Sequence, residues 1–225
     1  MSEEYSYLNG YMSLHESEAL KGAVPRDQRS PKEVPYGLIA EVINGSPFGA
    51  PRSNNLSTWF YRIQPSAVVQ GAFVPLAHPY IKGDFCCPGK SFTPEPVRWQ
   101  ARPVQEEAHD FIEGLVTIAG SGNSFSVKGM AIHTFTCNCS MGDKSFYNSD
   151  GDMLIVPDTG QLNIQTEFGF LCVGPGEIFI LPKGLKMTVN LVDKCHSRGF
   201  VCELFEVGHF QLPNLGPIGS NGWFY

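Results

Sequence analysis

The chain has 225 residues, a formal net charge of −6 and 42% hydrophobic residues, so it is long enough to bury the core of one large domain. Its 16 lysines and arginines are spread thinly, which argues against a nucleic-acid surface because such a surface needs a basic stripe. No apolar run reaches the ~18 residues of a membrane span, and residues 1–5 lack the basic start of a signal peptide. We therefore expect a soluble, cytoplasmic protein that binds neither nucleic acid nor membrane.

The first 102 residues are predicted to form an arm of short strands and coil that wraps the rest of the chain. Prolines and glycines recur there at intervals too short for long helices. One short helix is predicted at Val104–Glu113, because Gln105-Glu106-Glu107 places polar and acidic side chains at its amino terminus. Residues 103–225 are assigned to a single barrel domain.

From about residue 115 to residue 212, short β-prone runs alternate with tight turns. The turns recur about every 8–12 residues, which is the pattern of an all-β sandwich or barrel. The fold class is therefore predicted to be all-β, with a jelly-roll of strands after the arm. Besides the alternating run Met130–Phe135, the predicted strands are Met153–Val156, Leu162–Glu167, Phe170–Val173, Ile178–Leu181, Lys186–Val192 and Gly199–Glu206.

The run from Gly176 to Met187 follows the pattern G-x5-P-x-G-x2-H, except that Met187 stands at the histidine position. The preceding pattern H-x-H-x3/4-E-x6-G, counted back from Gly160, places its carboxylate at Met153. Its imidazole positions fall on one of two pairs, depending on the spacing: Phe146 and Asn148, or Tyr147 and Ser149. These are the two signatures of a cupin barrel, and none of the residues at these positions is a good iron or zinc ligand. The chain thus resembles a cupin whose metal site is degenerate.

Blocks in the same order along the chain carry a closer resemblance. They include Trp59-Phe-Tyr-Arg62, Val97-Arg-Trp99, Ala131-Ile-His133, Phe146-Tyr-Asn-Ser-Asp-Gly-Asp152 and Phe210-Gln-Leu-Pro-Asn-Leu-Gly-Pro-Ile-Gly219. On these blocks the chain resembles the amino-terminal portion of the homogentisate 1,2-dioxygenases, from about Tyr7 to Gly222. The final Trp223-Phe-Tyr225 departs from the family, and we expect the family's carboxyl-terminal half to be missing.

The resemblance implies a role in phenylalanine and tyrosine breakdown. Enzymes of this family open the ring of homogentisate with O2, giving maleylacetoacetate, at one ferrous iron held by two histidines and a glutamate. In the family these ligands lie in a second cupin. No catalytic, cofactor-binding or metal-binding residue is therefore assigned in this chain, no bound cofactor is expected, and the chain is expected to be inactive alone. The family's trimers and hexamers imply a homo-oligomer.

Two other functions stay open. The chain could be a non-catalytic structural or assembly partner, or a metal-free cupin that binds a small molecule in an apolar pocket near Phe146, Met153 and Met187. The first predicts association with other chains. The second predicts open space around these side chains, although methionines inside a barrel more often serve packing.

The remaining polar candidates are expected to be structural. The histidines are scattered singly, without the spacing of a metal motif: His15, His78, His109, His133, His196 and His209. His133 and His209 are predicted to be hydrogen-bonded and His196 to be exposed. Asp150 and Asp152 are predicted to form a turn rather than a calcium loop. All seven cysteines are predicted to be free thiols, namely Cys86, Cys87, Cys137, Cys139, Cys172, Cys195 and Cys202.

Overall fold

The computed structural model describes residues 5–7, 18, 20–24, 34–45, 57–69, 72, 76–86, 95–96, 98, 100, 103–192, 196–205 and 210. Two compact units divide the chain, Met1–Ala77 and His78–Tyr225. The predicted limit between arm and barrel, at residues 102 and 103, stays a prediction.

The first unit contains a short antiparallel ribbon. The 3-10 turn Pro35–Gly37 precedes β1 (Ile39–Gly45), β1 pairs with β2 (Ser57–Arg62), and the one-turn helix α1 (Ser66–Val69) follows. The Glu41 carboxylate joins these elements, because it lies 2.9 Å from Arg62 Nε and accepts the Ser66 amide at 2.8 Å. With four residues in α1, no helix among the described residues is long enough to cross a membrane.

The described part of the second unit consists of two antiparallel sheets. Its strands are β3 (Val116–Asn123), β4 (Lys128–Cys137), β5 (Asp152–Thr159), β6 (Leu162–Thr166), β7 (Gly169–Val173), β8 (Phe179–Leu181), β9 (Met187–Leu191) and β10 (Ser197–Leu204). Five form one sheet in the order β3-β4-β10-β5-β8, and three form the other in the order β7-β6-β9. Each predicted strand overlaps one of these elements, so the prediction of an all-β jelly-roll is confirmed.

Alternation along the strands builds the core between the sheets. In β10, Val201 and Glu203 are buried and Phe200 is exposed, as the pleat of a strand requires. The inner face of the three-stranded sheet is apolar, with Ile164 on β6 and Val189 on β9. The bulky buried side chains of the core include Phe111, Phe135, Ile155, Leu162, Leu181, Met187 and Phe205.

The predicted turn at Gly160 shows why glycine is needed there. Gly160 has φ of 78°, and a Cβ would lie 2.5 Å from the carbonyl oxygen of His196. Glycine alone tolerates both the left-handed backbone and this close approach. The turn therefore lets the chain pass from β5 of one sheet to β6 of the other while the start of β10 packs directly against it.

The helix predicted at Val104–Glu113 is wrong. Residues 103–110 have no regular structure, and residues 111–114 form one turn. A capping box further along the chain holds that turn: Asp110 Oδ1 accepts two amide N–H groups at 3.0 Å, and Glu113 Oε2 accepts the Asp110 amide at 3.0 Å. Gly114 then packs on β4, where a Cβ would lie 1.7 Å from the Thr136 carbonyl oxygen, so the chain extends instead of coiling further.

Residues 80–86 cover the outer edge of β3. The amides of Phe85 and Thr117 donate across this edge, to Gly122 at 2.9 Å and to Tyr80 at 3.0 Å. The Phe85 ring lies on Gly120, where any Cβ would come within 2.2 Å of a ring carbon. Backbone groups near both ends of this edge are therefore paired within the same chain.

Candidate functional site in the barrel interior

The degenerate cupin signature lies where the two sheets meet. Phe146 and Met187 exchange two backbone hydrogen bonds, both of 2.8 Å, and so extend the three-stranded sheet by one bridge. Met153 lies on β5 of the other sheet, directly opposite Glu203 of β10. Met153 and Met187 are 3% and 1% exposed, so two thioethers pack into the core at signature positions.

Asn148 shows which of the two imidazole pairs faces inward. Its side-chain amide donates to Oε1 of the buried Glu203 at 2.5 Å, whereas Ser149 is exposed. The longer spacing, which includes Asn148, therefore places one imidazole position toward the interior.

A series of hydrogen-bonded polar side chains crosses the barrel interior beside Met153. His133 on β4 has Nε2 3.1 Å from Glu203 Oε2 and Nδ1 3.0 Å from Thr117 Oγ1 on β3. His133 and Glu203 are 2% and 7% exposed. Together with Asn148, these residues form the His133 cluster, which consists of Thr117, His133, Asn148 and Glu203.

Donors and acceptors match throughout the His133 cluster with one proton on the ring. The Glu203 carboxylate can only accept, so His133 Nε2–H donates to it and Nδ1 is left as an acceptor. The Thr117 hydroxyl accepts the Lys82 amide at 2.8 Å and donates its own proton to Nδ1. Asn148 completes the set, because its Oδ1 accepts the Asp150 amide at 2.9 Å. Buried polar groups satisfied in this way stabilise the barrel without a ligand.

The described donors do not fit the iron site that the resemblance implies. A facial triad needs two imidazoles and one carboxylate, with positions left open for substrate and oxygen. The His133 cluster has a single imidazole, and its carboxylate is already engaged with that imidazole at 3.1 Å. Within the described ranges, no group of three or more His, Cys, Asp or Glu residues is placed to hold an ion.

Glu203 went unrecognised in the sequence, although one signal marks it. It lies in the predicted strand Gly199–Glu206, with the same parity as Val201 and Phe205, which are buried. An acidic residue at an inward position of a strand indicates a buried carboxylate with a partner. His133 was predicted to be a hydrogen-bonded structural residue, and both its ring nitrogens have partners.

The acidic residues before β5 do not form the predicted turn, because residues 149–150 are a bend and Asp152 begins β5; instead their surroundings hold another turn in place. The buried Asp152 accepts the Lys183 amide at 2.7 Å, and Asn148 accepts the Asp150 amide through its side chain. The Asn148 carbonyl also accepts the Gly184 amide at 2.8 Å. These bonds hold the Pro-Lys-Gly turn of the second signature against the first.

The other described histidines lie apart from the His133 cluster. His109 bridges the capping-box turn to β4, with Nδ1 2.7 Å from the Glu107 carbonyl and Nε2 3.1 Å from Thr136 Oγ1. His78 Nε2 lies 3.0 Å from the Ile112 carbonyl. The prediction that His196 is exposed is confirmed. His15 and His209 lie outside the described residues.

The cysteines among the described residues are thiols. Cys137, Cys139 and Cys202 are free, as predicted, and Cys86 and Cys172 are thiols as well. Burial raises the pKa of Cys137 to about 12 and also raises the pKa of Cys139 and of Cys202, the latter with help from the Glu203 charge. These three thiols therefore stay protonated and are poor nucleophiles. Cys87 and Cys195 lie outside the described residues.

Residues 6–224 match a family model described as the homogentisate 1,2-dioxygenase N-terminal region. The chain is 45% identical to the homogentisate 1,2-dioxygenase of Arabidopsis thaliana, over 98% of this chain and 48% of that protein. It is 49% identical to that of Oryza sativa subsp. japonica, over 97% of this chain and 47% of that protein. The chain thus spans about half the length of the curated relatives it matches.

Solved structures similar to the chain include an RmlC-like cupin with a double-stranded β-helix fold from Methanocaldococcus jannaschii. It is 13% identical, with a TM-score of 0.37 over 51% of this chain and 94% of that chain. The cupin domain of Schizosaccharomyces pombe Cnp3 is 12% identical, with a TM-score of 0.34 over 41% of this chain and 61% of that chain. Both TM-scores are low, so the fold assignment rests on the strand order and register described above.

Proposed function

The chain belongs to the homogentisate 1,2-dioxygenase family, whose amino-terminal portion it matches, and we propose that it is the non-catalytic half of a ring-cleaving dioxygenase. The match over residues 6–224 carries this proposal. The interior supports it, because buried thioethers and an internally satisfied polar cluster occupy the signature region. In this role the chain supplies a folded scaffold and leaves the chemistry to the remainder of the enzyme.

The proposed reaction of the whole enzyme is the oxidative opening of the homogentisate ring. One ring carbon–carbon bond breaks, both atoms of O2 enter the product maleylacetoacetate, and no external reductant is consumed. Ferrous iron held outside the matched portion would supply the oxygen chemistry. No step is assigned to a side chain of this chain. The proposed setting is phenylalanine and tyrosine catabolism in the cytoplasm.

Oxygen uptake tests this proposal. The purified 225-residue chain is incubated with homogentisate and ferrous iron, beside the Arabidopsis relative under the same conditions. We expect iron-dependent oxygen uptake from the relative and none above the protein-free blank from the chain. Iron-dependent turnover by the chain alone would refute the proposed division of labour, because the ligands would then have to lie within residues 1–225.

The family resemblance also leads us to propose a homo-oligomer, built on trimers. Light scattering of the purified chain measures this directly, with a molar mass of three or six times 24.8 kDa as the expected result. A monomer at all concentrations would contradict it. The alternative of a small-molecule cupin is less well supported, because Met153 and Met187 are packed in the core rather than lining open space.

A further inference from the structure

Two surface segments lie at opposite edges of the five-stranded sheet. Residues 80–86 cover the outer edge of β3, and the Pro-Lys-Gly turn, residues 182–184, directly follows β8 at the other edge. Four strand spacings of about 4.8 Å separate β3 from β8, so the two edges are roughly 19 Å apart. The two segments are therefore too far apart to touch through their own backbones.

Residues 80–86 are tied to the barrel interior through Thr117 on β3. The Thr117 amide donates to the Tyr80 carbonyl at 3.0 Å, and the Thr117 hydroxyl accepts the Lys82 amide at 2.8 Å. The same hydroxyl lies 3.0 Å from His133 Nδ1, to which it donates its proton. One hydroxyl group therefore joins a surface segment to an imidazole that is 2% exposed.

The turn at residues 182–184 is tied to the same imidazole through Asn148. The Asn148 carbonyl accepts the Gly184 amide at 2.8 Å, and the Asn148 side-chain amide donates to Glu203 Oε1 at 2.5 Å. Glu203 Oε2 in turn lies 3.1 Å from His133 Nε2. The His133 cluster thus forms a continuous series of hydrogen bonds from one edge of the sheet to the other.

Each link of this series depends on the next one, because the available protons fix its direction. The Thr117 hydroxyl has one proton, which goes to Nδ1, and the Glu203 carboxylate has none, so it can only accept from His133 and Asn148. Hydrogen bonds in such a buried network strengthen one another, and a group that loses its partner carries a desolvation penalty. Breaking a link at one end therefore makes the neighbouring link easier to open.

We infer that the His133 cluster couples the two edges of the five-stranded sheet, so that loosening residues 80–86 also loosens the turn at residues 182–184. Coupling between two sites is reciprocal, so loosening the turn also loosens residues 80–86. A molecule that holds either segment in place consequently steadies the other one. This coupling concerns local opening of the folded chain, and it does not rest on the proposed function.

Amide hydrogen exchange of the folded 225-residue chain, measured by NMR, tests this inference. Thr117→Val removes the hydroxyl and keeps the shape of the side chain, so it cuts the series at the β3 edge. The reporters are the amides of Lys183 and Gly184 at the far edge, which donate to Asp152 Oδ1 at 2.7 Å and to the Asn148 carbonyl at 2.8 Å. The Ile164 amide, on the middle strand of the other sheet, is the reference for opening of the whole barrel.

We expect Thr117→Val to speed exchange of both reporter amides, relative to Ile164, by about 5-fold or more. Thr117→Ser keeps the hydroxyl and should stay within about 2-fold of the unsubstituted chain. The matched control is Thr136→Val, which removes another buried threonine bond, from Thr136 Oγ1 to His109 Nε2 at 3.1 Å, outside the His133 cluster. Unchanged reporter exchange in Thr117→Val, or an equal increase in Thr136→Val, would overturn the inference.

The reverse experiment cuts the series at the other edge and decides the question by itself if Thr117→Val does not fold. In Asn148→Ala the reporters are the amides of Lys82 and Phe85, and we expect both to exchange about 5-fold faster or more relative to the same Ile164 reference. The control is Asn190→Ala on β9, where Asn190 Oδ1 accepts the Gly142 amide at 3.3 Å. Exchange at residues 82 and 85 that is the same in Asn148→Ala as in the control would show that the two edges open independently.

Discussion

At the scale of single residues, the barrel interior is held by an internal polar cluster. Glu203 accepts from Asn148 with one carboxylate oxygen and from His133 with the other, and the Thr117 hydroxyl donates to His133 Nδ1. Each group would carry a desolvation penalty if its partner were lost. The cluster therefore contributes to stability through mutual satisfaction, and the substitutions that keep its donors and acceptors matched should be the tolerated ones.

Replacement of Glu203 tests whether its hydrogen-bond acceptors or its negative charge stabilises the barrel. Glu203→Leu leaves the His133 and Asn148 donors without an acceptor, and should lower the free energy of unfolding by about 2–4 kcal/mol. Glu203→Gln should cost less than about 1.5 kcal/mol, because the ring proton can move to Nδ1 and Nε2 can then accept from the new amide. Thr117 Oγ1 has lone pairs for both Nδ1–H and the Lys82 amide.

Urea unfolding measures both changes, and nitrogen NMR of the His133 ring reports the tautomer. Glutamine as costly as leucine would show that the charge of Glu203, rather than its hydrogen-bond acceptors, stabilises the barrel, which would contradict the argument from matched donors and acceptors. The unsubstituted chain is the reference for the tautomer, with the proton on Nε2.

Restoring one signature histidine should not restore a metal site. In Met187→His the new imidazole would lie across the bridge from Phe146, while Met153 still stands at the carboxylate position, so a second histidine and a free carboxylate are absent from the signature positions. We expect no ferrous binding by calorimetry beyond that of the unsubstituted chain. Unfolding should become easier by about 1–3 kcal/mol, because a polar ring replaces a thioether that is 1% exposed. Tight ferrous binding by this variant would count against the assignment of the signature positions.

The residue scale also shows what a single sequence can predict about the site. Met153 and Met187 could be placed because the signature fixes their spacing from Gly160 and from the Pro-Lys-Gly turn. The pairing of His133 with Glu203 could not, since 70 residues separate the two and periodicity reports only the face on which each lies. The position of each residue in its strand indicates that both side chains face inward, but it does not indicate that they pair with each other.

At the scale of elements, the strands could be predicted because their signal is local, whereas the end of the predicted helix depends on a contact with a distant part of the sequence. Apolar and polar residues alternate over five residues in β6 and in β9, so the sequence of each strand shows which face points inward. The capping box at Asp110 is the same signal that begins a true helix. What ends it after one turn is the approach of Gly114 to Thr136 on β4, a contact between distant parts of the sequence.

Gly114→Ala should therefore be costly although its position lies outside regular structure. A Cβ there would be 1.7 Å from the Thr136 carbonyl oxygen, so the capping-box turn must move off β4. We expect a loss of about 3 kcal/mol or more, together with faster amide exchange in residues 109–114. The control is Gly174→Ala, whose Cβ would meet only Glu177 Oε2, at 3.7 Å, and which should cost less than about 1 kcal/mol. Equal losses for the two variants would contradict the packing argument.

At the scale of the whole molecule, the buried thiols make unfolding depend on alkaline pH. Burial raises the pKa of Cys137 from about 9 to about 12, so above pH 9 the unfolded chain releases a proton that the folded chain keeps. The stabilising contribution is complete below pH 9 and is lost as pH rises toward 12. The Cys137 thiol should lower the free energy of unfolding by up to about 1.4 kcal/mol per pH unit in this window.

Urea unfolding between pH 8 and pH 10.5 under reducing conditions measures this slope. Cys137→Ala should make it shallower, while Cys139 and Cys202 keep part of it because their pKa values are raised too. Cys86→Ala is the control, since Cys86 is exposed. A slope that is the same in Cys137→Ala and in the unsubstituted chain would contradict the assignment.

The cover on the β3 edge has a consequence for synthesis. Residues 80–86 leave the ribosome about 30 residues ahead of β3, so the segment that shields the edge is already outside when the strand emerges. An edge strand without such a shield invites pairing with a neighbouring nascent chain and then aggregation. Because residues 80–86 are translated before β3, they can pair with the β3 edge before a strand of another nascent chain reaches it.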